Sequence, residues 1–127
     1  MTWPDVEALV CDWFEDLGVV RTWYPPADQI EGLLPLIVVQ RTGGGSPDGH
    51  QDVALVTIAV TAQSRAASWA LMGRIRDRVR DASRGLETDA ALVDAVVEQV
   101  GPQQIPQLNP DHREVQMTFQ VTCRPNR

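Results

Sequence analysis

The sequence has no lysine, only two cysteines and two histidines, and few aromatic residues. Cys11 and Cys123 lie far apart without CxxC spacing, which favours free thiols over a redox or metal motif. His50 and His112 fall in predicted loops, with no neighbouring ligands at metal-site spacing. No apolar run approaches the roughly 20 residues that cross a bilayer. We therefore expect no metal site and no membrane partner.

Motifs for catalysis are missing as well. The chain has no Gly-x-Ser-x-Gly and no cysteine–histidine pair in a recognisable signature. A glycine-rich stretch covers residues 43–49, but it lacks Gly-Lys-Ser/Thr and precedes a predicted strand, so it is not a phosphate-binding loop. The sequence predicts a protein that is not an enzyme and binds no cofactor.

The charge that is present is mostly acidic, with 17 Asp and Glu against 11 basic residues and a net charge of -6. Like charges repel, which argues against tight binding to DNA phosphates. The exclusive use of arginine fits either a GC-rich genome or interfaces in which guanidinium groups pair with carboxylates. The length of 127 residues suits a single domain over residues 1–127. The first residues lack the basic region of a signal peptide, so we expect synthesis in the cytoplasm.

Apolar residues at helical spacing predict two helices, over residues 2–17 and 65–83. Thr2 and Ser64 are the predicted N-caps, because short polar side chains accept hydrogen bonds from the first N–H groups of a helix. β-branched runs predict strands over residues 19–24, 36–42, 52–62 and 113–124. Residues 27–34 form a connection of undefined form, and residues 90–100 suit either a helix or a strand.

The last of these segments, residues 113–124, alternates apolar and polar side chains most regularly. Its polar row contains Gln116, Thr118 and Gln120. At about 3.3 Å per residue it would extend over on the order of 40 Å, which is long for so small a domain. With residues 90–100 taken as a strand, the predicted fold is α+β in the order α-β-β-β-α-β-β. Two helices would pack on one face of a largely antiparallel sheet, giving two layers.

The two predicted helices differ in charge. The first carries only acidic residues and the second is rich in arginine. Each subunit could present an acidic and a basic edge, and such patches favour head-to-tail contacts that close into rings. The alternative is that the helices lie side by side and neutralise each other within one chain. The candidate interface residues on these helices are Asp12, Glu15, Asp16, Arg74 and Arg78.

The glycine-rich stretch is predicted to be a mobile hairpin tip between two strands. It is either a plain solvent loop or a segment that orders against a partner. Its candidate interface residues are Gly43, Gly44, Gly45 and Asp48. We expect this hairpin and the long last strand to make contacts with other subunits or with a partner, by loop docking or edge pairing.

Three stretches of the chain resemble the tail terminator proteins of siphophages, of the lambda-like and actinobacteriophage type. Residues 1–7 (MTWPDVE) are similar to their N-terminal helix. Residues 56–80 resemble their central strand and the Ala-, Trp- and Arg-containing helix after it. Residues 100–102 (VGP), 105–106 (IP), 109–111 (NPD) and 114–124 resemble their Gly-Pro turn, proline-containing loop and long final strand. The resemblance covers about half of the chain and favours a strand for residues 90–100.

The resemblance implies a structural virion protein at the tail–neck junction. Such proteins form a ring, usually a hexamer, that caps the tail tube, ends its polymerisation and joins the tail to the neck. The implied partners are other copies of the chain, the tail tube protein and a neck connector protein, with DNA passing through unbound. The row of Gln116, Thr118 and Gln120 is the candidate lining of the ring lumen. Two alternatives stay open: a head-completion or adaptor protein, and a small oligomeric ligand-binding domain with a closed pocket.

Overall fold

The computed structural model describes residues 2–88, 91–105 and 113–125. The helices are α1 (Val6–Phe14), α2 (Ala27–Ile30) and α3 (Arg65–Asp81), with short 3-10 turns after α1 and α2. The strands are β1 (Val19–Arg21), β2 (Leu36–Gly45), β3 (Asp52–Thr61), β4 (Leu86–Glu87), β5 (Leu92–Gln104) and β6 (Val115–Cys123). The predicted loop through His112 lies outside the described residues.

The strands form one six-stranded sheet in the order β1-β2-β3-β6-β5-β4. The β1–β2 pair is parallel, and the other pairs are antiparallel. The predicted α+β class with a largely antiparallel sheet is confirmed. The number and order of elements differ from the prediction, because α2 and β4 are additional. The valine-rich segment is the strand β5, as the resemblance favoured.

Both long helices lie on the same face of the sheet, as predicted. α1 contacts β1 and β2, whereas α3 contacts β3, β6 and β5. Their shared core contains fully buried Phe14, Ile58 and Phe119. Each large apolar side chain removed from water contributes about 1.5–3 kcal/mol. The Trp13 ring meets the Phe119 ring edge-on with centroids 6.4 Å apart, so α1 is held against the centre of the sheet.

Within residues 2–88, 91–105 and 113–125, the second face of the sheet is covered only at one end. The segment of α2 and its following turn packs Ile30, Leu33 and Leu34 onto a patch of Leu36, Val38 and Ala59. These three buried residues alternate with residues of the main core along their strands. The rest of this face has no covering element among the described residues. We call it the open sheet face.

The structure changes the predicted start of α1 and the predicted end of β1, and it keeps the predicted start of α3. α1 begins at Val6 and is capped by Asp5, whose carboxylate accepts from the Ala8 N–H at 3.1 Å. The predicted Thr2 cap is wrong because Pro4 disfavours helical geometry at Trp3. The Ser64 cap of α3 is confirmed, with its hydroxyl accepting from the Ala67 N–H at 3.1 Å. β1 stops at Arg21, since the chain then turns to cross the second face.

Candidate functional site

The glycine-rich hairpin is more ordered than its composition predicts. Gly43, Gly44 and Gly45 belong to β2 and pair with β3, so the expected mobile tip is reduced to residues 46–51. Gly44 has a φ of +96°, and a Cβ there would lie 1.9 Å from the Val53 carbonyl oxygen. Only glycine fits this approach of two backbones.

The candidate Asp48 stabilises the turn itself. Its Oδ1 accepts from the N–H groups of His50 at 2.8 Å and Gln51 at 3.0 Å. The bond from the Gln51 N–H, and then that from His50, lower the pKa of Asp48. Asp48 is therefore used within the hairpin, and its role in an interface stays a prediction.

Two bidentate ion pairs hold the base of the hairpin. Arg41 donates from Nη1 and Nη2 to the Asp52 carboxylate at 2.6 and 2.7 Å, and Asp52 is only 6% exposed. Arg124 donates to Asp94 at 2.7 Å, which lowers the pKa of that carboxyl, and Gln51 donates to Asp94 at 2.8 Å. Gln51 thereby attaches the hairpin turn to β5, and the Arg124–Asp94 pair joins β5 to the residue that follows β6.

The predicted charged residues of the two helices are partly used within the chain. Arg78 donates to both Asp16 carboxylate oxygens at 2.8 and 2.6 Å, and to the Trp13 carbonyl at 2.9 Å. The Arg78 hydrogen bond, before any other cause, lowers the pKa of Asp16. For these two residues the structure therefore contains the alternative arrangement, in which the helices neutralise each other. Arg74 is exposed nearby and adds to the positive field at Asp16.

Asp12 and Glu15 are differently positioned, on the side of α1 that borders β1. Both are exposed and line a shallow groove with Gly18, Val19 and Arg21. Neither carboxylate has an ion-pair or hydrogen-bond partner in the part of the chain that the structure describes. This acidic pair is available to another molecule.

The predicted lumen residues lie on the open sheet face. Thr118 bonds Thr57 through their hydroxyls at 3.0 Å, and Thr57 bonds Thr42 at 3.0 Å, giving a row of hydroxyls across three strands. Gln120 accepts from the Gln99 amide at 3.3 Å. Gln116 lies beside the covered end of the face and donates to the Tyr24 hydroxyl at 3.4 Å.

This open face carries no charge along its described central strands. The outward side chains of β3 and β6 are apolar residues, threonines and glutamines, and the β5 residues paired with β6 there are Ala95, Val97, Val100 and Gln103. The arginines and carboxylates of the sheet are at its ends or on the helix side. Because the chain has 17 acidic residues, the absence of charge distinguishes this face from the rest of the molecule.

Edge pairing by the last strand is excluded by the sheet order. β6 is bonded to β3 on one side and to β5 on the other, so it has no free edge. The prediction of inter-subunit pairing by this strand is wrong. The longest described strand is instead β5. β4 covers only its Leu92 and Val93, so most of β5 is an edge of the sheet as far as the structure describes the chain.

A groove between α3 and this edge was not predicted. It has a volume of about 460 Å³, with an apolar wall that includes Val79, Val96 and Val97. Arg76 forms a bidentate pair with Glu98 across it, at 2.6 and 3.0 Å. Arg80 lies on its rim. The arginine-rich helix was evident in the sequence, but the strand beside it was not.

Several classes of site receive no support from the described residues. They contain no cluster of three potential metal-binding side chains. None of the described helices is long and apolar enough to span a membrane. Cys11 and Cys123 are free thiols, and burial raises the pKa of Cys123 to about 11.

The family model described as phage tail termination protein matches residues 2–127. No curated protein was found to match the chain at a significant level.

Proposed function

The chain belongs to the phage tail termination protein family, and we propose that it forms a ring on the last ring of the tail tube. The ring ends polymerisation of the tube and joins the tail to the neck. Membership in the family supports a tail-terminator role in the virion. The ring, usually a hexamer in proteins that the sequence resembles, is the finer part of the proposal. The proposed partners are further copies of the chain, the tail tube protein and a neck connector protein.

The observation that carries the finer proposal is the uncharged open sheet face. A channel for DNA has to exclude tight phosphate contacts, because each arginine or lysine on a phosphate adds a salt-dependent attraction. A wall of carboxylates would instead repel the passing strand. This face instead carries a row of uncharged groups, which neither bind phosphates tightly nor repel them. The row consists of Thr42, Thr57 and Thr118, with Gln120 beside it. We assign this face to the lumen.

Termination itself is tested by tail length. In particles assembled without this chain, tubes should continue to stack and the tails should vary in length under the electron microscope. Supplying the chain in trans should restore a single length. Tails of normal length and normal attachment to heads in its absence would contradict the proposal.

The lumen assignment is tested by Thr118→Arg, with Ala66→Arg as a matched control on the exposed surface of α3. Both variants add the same charge, but only the first puts it on the open sheet face. We expect normal particles with slowed DNA delivery for Thr118→Arg, and unchanged delivery for the control. Equal delivery rates for the two particles would count against the lumen position.

A further inference from the structure

The segment over residues 22–34 forms a layer of its own on the second face of the sheet. It leaves the end of β1, crosses this face, and returns through α2 and the following 3-10 turn to the start of β2. We call this segment the strap. Three of its apolar residues are half-buried against the patch that β2 and β3 present there, namely Ile30, Leu33 and Leu34.

The strap is attached to the sheet by few buried groups. Within residues 22–34 only Pro25 is buried, and neither α2 nor its following turn has a side-chain cap. Isolated helices shorter than about 12 residues are marginal in water, so the four residues of α2 depend on their contact with the sheet. Segments with few buried apolar contacts open locally at a lower free energy than the core does. The strap should therefore open before the sheet unfolds.

Two polar contacts fasten the strap to β6 and the residues before it. Arg113 donates from Nη2 to the Glu31 carboxylate and from Nη1 to the Ala62 carbonyl, the latter at 3.3 Å. The Gln116 amide donates to the Tyr24 hydroxyl at 3.4 Å. The Glu31 side chain is 69% exposed, whereas that of Arg113 is 14% exposed. Water can therefore solvate Glu31 readily when the strap moves away, and Arg113 stays with the sheet.

The strap lies on the same face as the proposed lumen wall. Gln116, which the strap contacts, is two residues from Thr118 on β6, and alternate residues of a strand point to the same face. A helical turn laid on a sheet raises the surface by about 10 Å, the diameter of a helix with its side chains. With the open sheet face lining a ring, the straps would make the lumen narrower by about 20 Å at this end.

We propose that the strap is a gate, which narrows one end of the lumen at rest and opens by local unfolding when DNA passes. Opening breaks the Glu31–Arg113 and Tyr24–Gln116 contacts and leaves the sheet intact. The patch uncovered on β2 and β3 is uncharged, like the rest of this face, so the DNA meets no new phosphate-binding group there. This inference rests on the proposed lumen and describes its regulation.

Hydrogen exchange of the purified chain tests whether the strap opens by itself. The amides of residues 27–34 should exchange at least about tenfold faster than those of α3. Their exchange should depend little on low urea concentrations, because an opening that exposes little surface has a small urea dependence. Equal protection and equal urea dependence of the strap and α3 would mean that the strap opens only by global unfolding, and would overturn the proposal.

Removing one contact of the strap sharpens this test. Glu31→Gln should raise the exchange rate in the strap about threefold, the effect of losing one largely exposed ion pair, and leave α3 unchanged. Asp28→Asn is the matched control, because Asp28 is an exposed carboxylate on α2 that forms no ion pair with the described residues. It should exchange like the unmodified chain. Identical strap exchange in the two variants would count against Glu31 as a fastening residue of the gate.

DNA release from assembled particles tests the gate itself. Particles with Glu31→Gln and Tyr24→Phe together should release DNA at least about twofold faster on mild heating, because both contacts of the strap are lost. Particles with Asp28→Asn should release it like the unmodified particles. Unchanged release by the double variant, while Thr118→Arg still slows delivery, would overturn the gate and leave the lumen standing. No effect of either Thr118→Arg or the double variant would overturn both.

Discussion

Arg41 and Asp52 form an ion pair that differs from the others in the burial of its carboxylate. The Asp52 side chain is 9% exposed, whereas Asp16, the partner of Arg78, is 60% exposed. Exposed pairs contribute about 0–1 kcal/mol because water already solvates both charges. A buried carboxylate that loses its partner cannot be solvated in the same way. The hairpin should therefore depend on Arg41 more than on an arginine whose partner carboxylate is exposed.

Arg41→Gln should lower the free energy of unfolding by about 2–3 kcal/mol, the cost of an unpaired buried charge after partial relaxation. Arg124→Gln is the matched control, because its partner Asp94 is more exposed, and it should cost about 1 kcal/mol or less. Urea denaturation measures both values. The double variant Arg41→Gln/Asp52→Asn should recover part of the loss. Equal costs for Arg41→Gln and Arg124→Gln would refute this account.

Gly44 has a positive φ that strongly favours glycine, whereas its neighbour Gly45 does not. Gly44→Ala puts a Cβ 1.9 Å from the Val53 carbonyl at a positive φ, so we expect a loss of about 2 kcal/mol or more. Gly45→Ala meets nothing within 4 Å and should change the unfolding free energy by less than about 0.5 kcal/mol. Thermal and urea unfolding of the two variants give the comparison. A tolerated Gly44→Ala would mean that the two strands separate here at little cost.

At the scale of elements, the hairpin consists of a turn, residues 46–51, and the two paired strands β2 and β3 that support it. Removing residues 43–49 would delete three paired residues of β2, so it would not test the turn alone. Replacing residues 47–51 by Asn-Gly keeps the β2–β3 register, because Ser46 then stands opposite Asp52 and Asn-Gly suits a two-residue hairpin. The lost Gln51–Asp94 bond should cost about 1 kcal/mol. If the turn contacts the tube, tail attachment should fall while ring formation is kept; attachment at the native level would remove the turn from the interface.

The elements that the sequence predicts best are those whose caps and periodicity depend on residues close together in the chain. Ser64 and the apolar periodicity of residues 65–83 predict α3 almost to its ends, and strict alternation predicts both faces of β6. β5 was ambiguous because its valines suit both periods, and its register shifts interrupt the alternation. The short α2 segment was not recognised, since it has only four residues and packs through its following turn.

The charges of the whole molecule predict its behaviour in acid. Hydrogen bonds from Arg78, from the Gln51 N–H and from Arg124 lower the folded-state pKa values of Asp16, Asp48 and Asp94, respectively, below the ordinary 3.8. A lowered folded pKa adds stability that is present above the unfolded pKa and is lost as the pH falls through the folded value. The unfolding free energy should therefore decrease as the pH is lowered below about 4.

Substituting Asn for these three aspartates should reduce stability at pH 7, and the difference from the unmodified chain should shrink as the pH falls below about 4. Urea denaturation at several pH values between about 2.5 and 7 measures the two curves, because carboxylates titrate in the lower part of this range. Parallel curves over this range would show that the three carboxylates contribute no acid dependence.

The sequence by itself determined the local properties of this protein: the α+β class, the α3 cap, the two faces of β6 and the absence of recognisable catalytic motifs. These depend on neighbours a few residues apart. Only the tertiary structure decided that β6 is an inner strand, that β5 is an edge, and that Arg78 binds Asp16, 62 residues away. Strand order and long-range ion pairs are set by how complete elements pack, and periodicity carries no information about which element becomes whose neighbour.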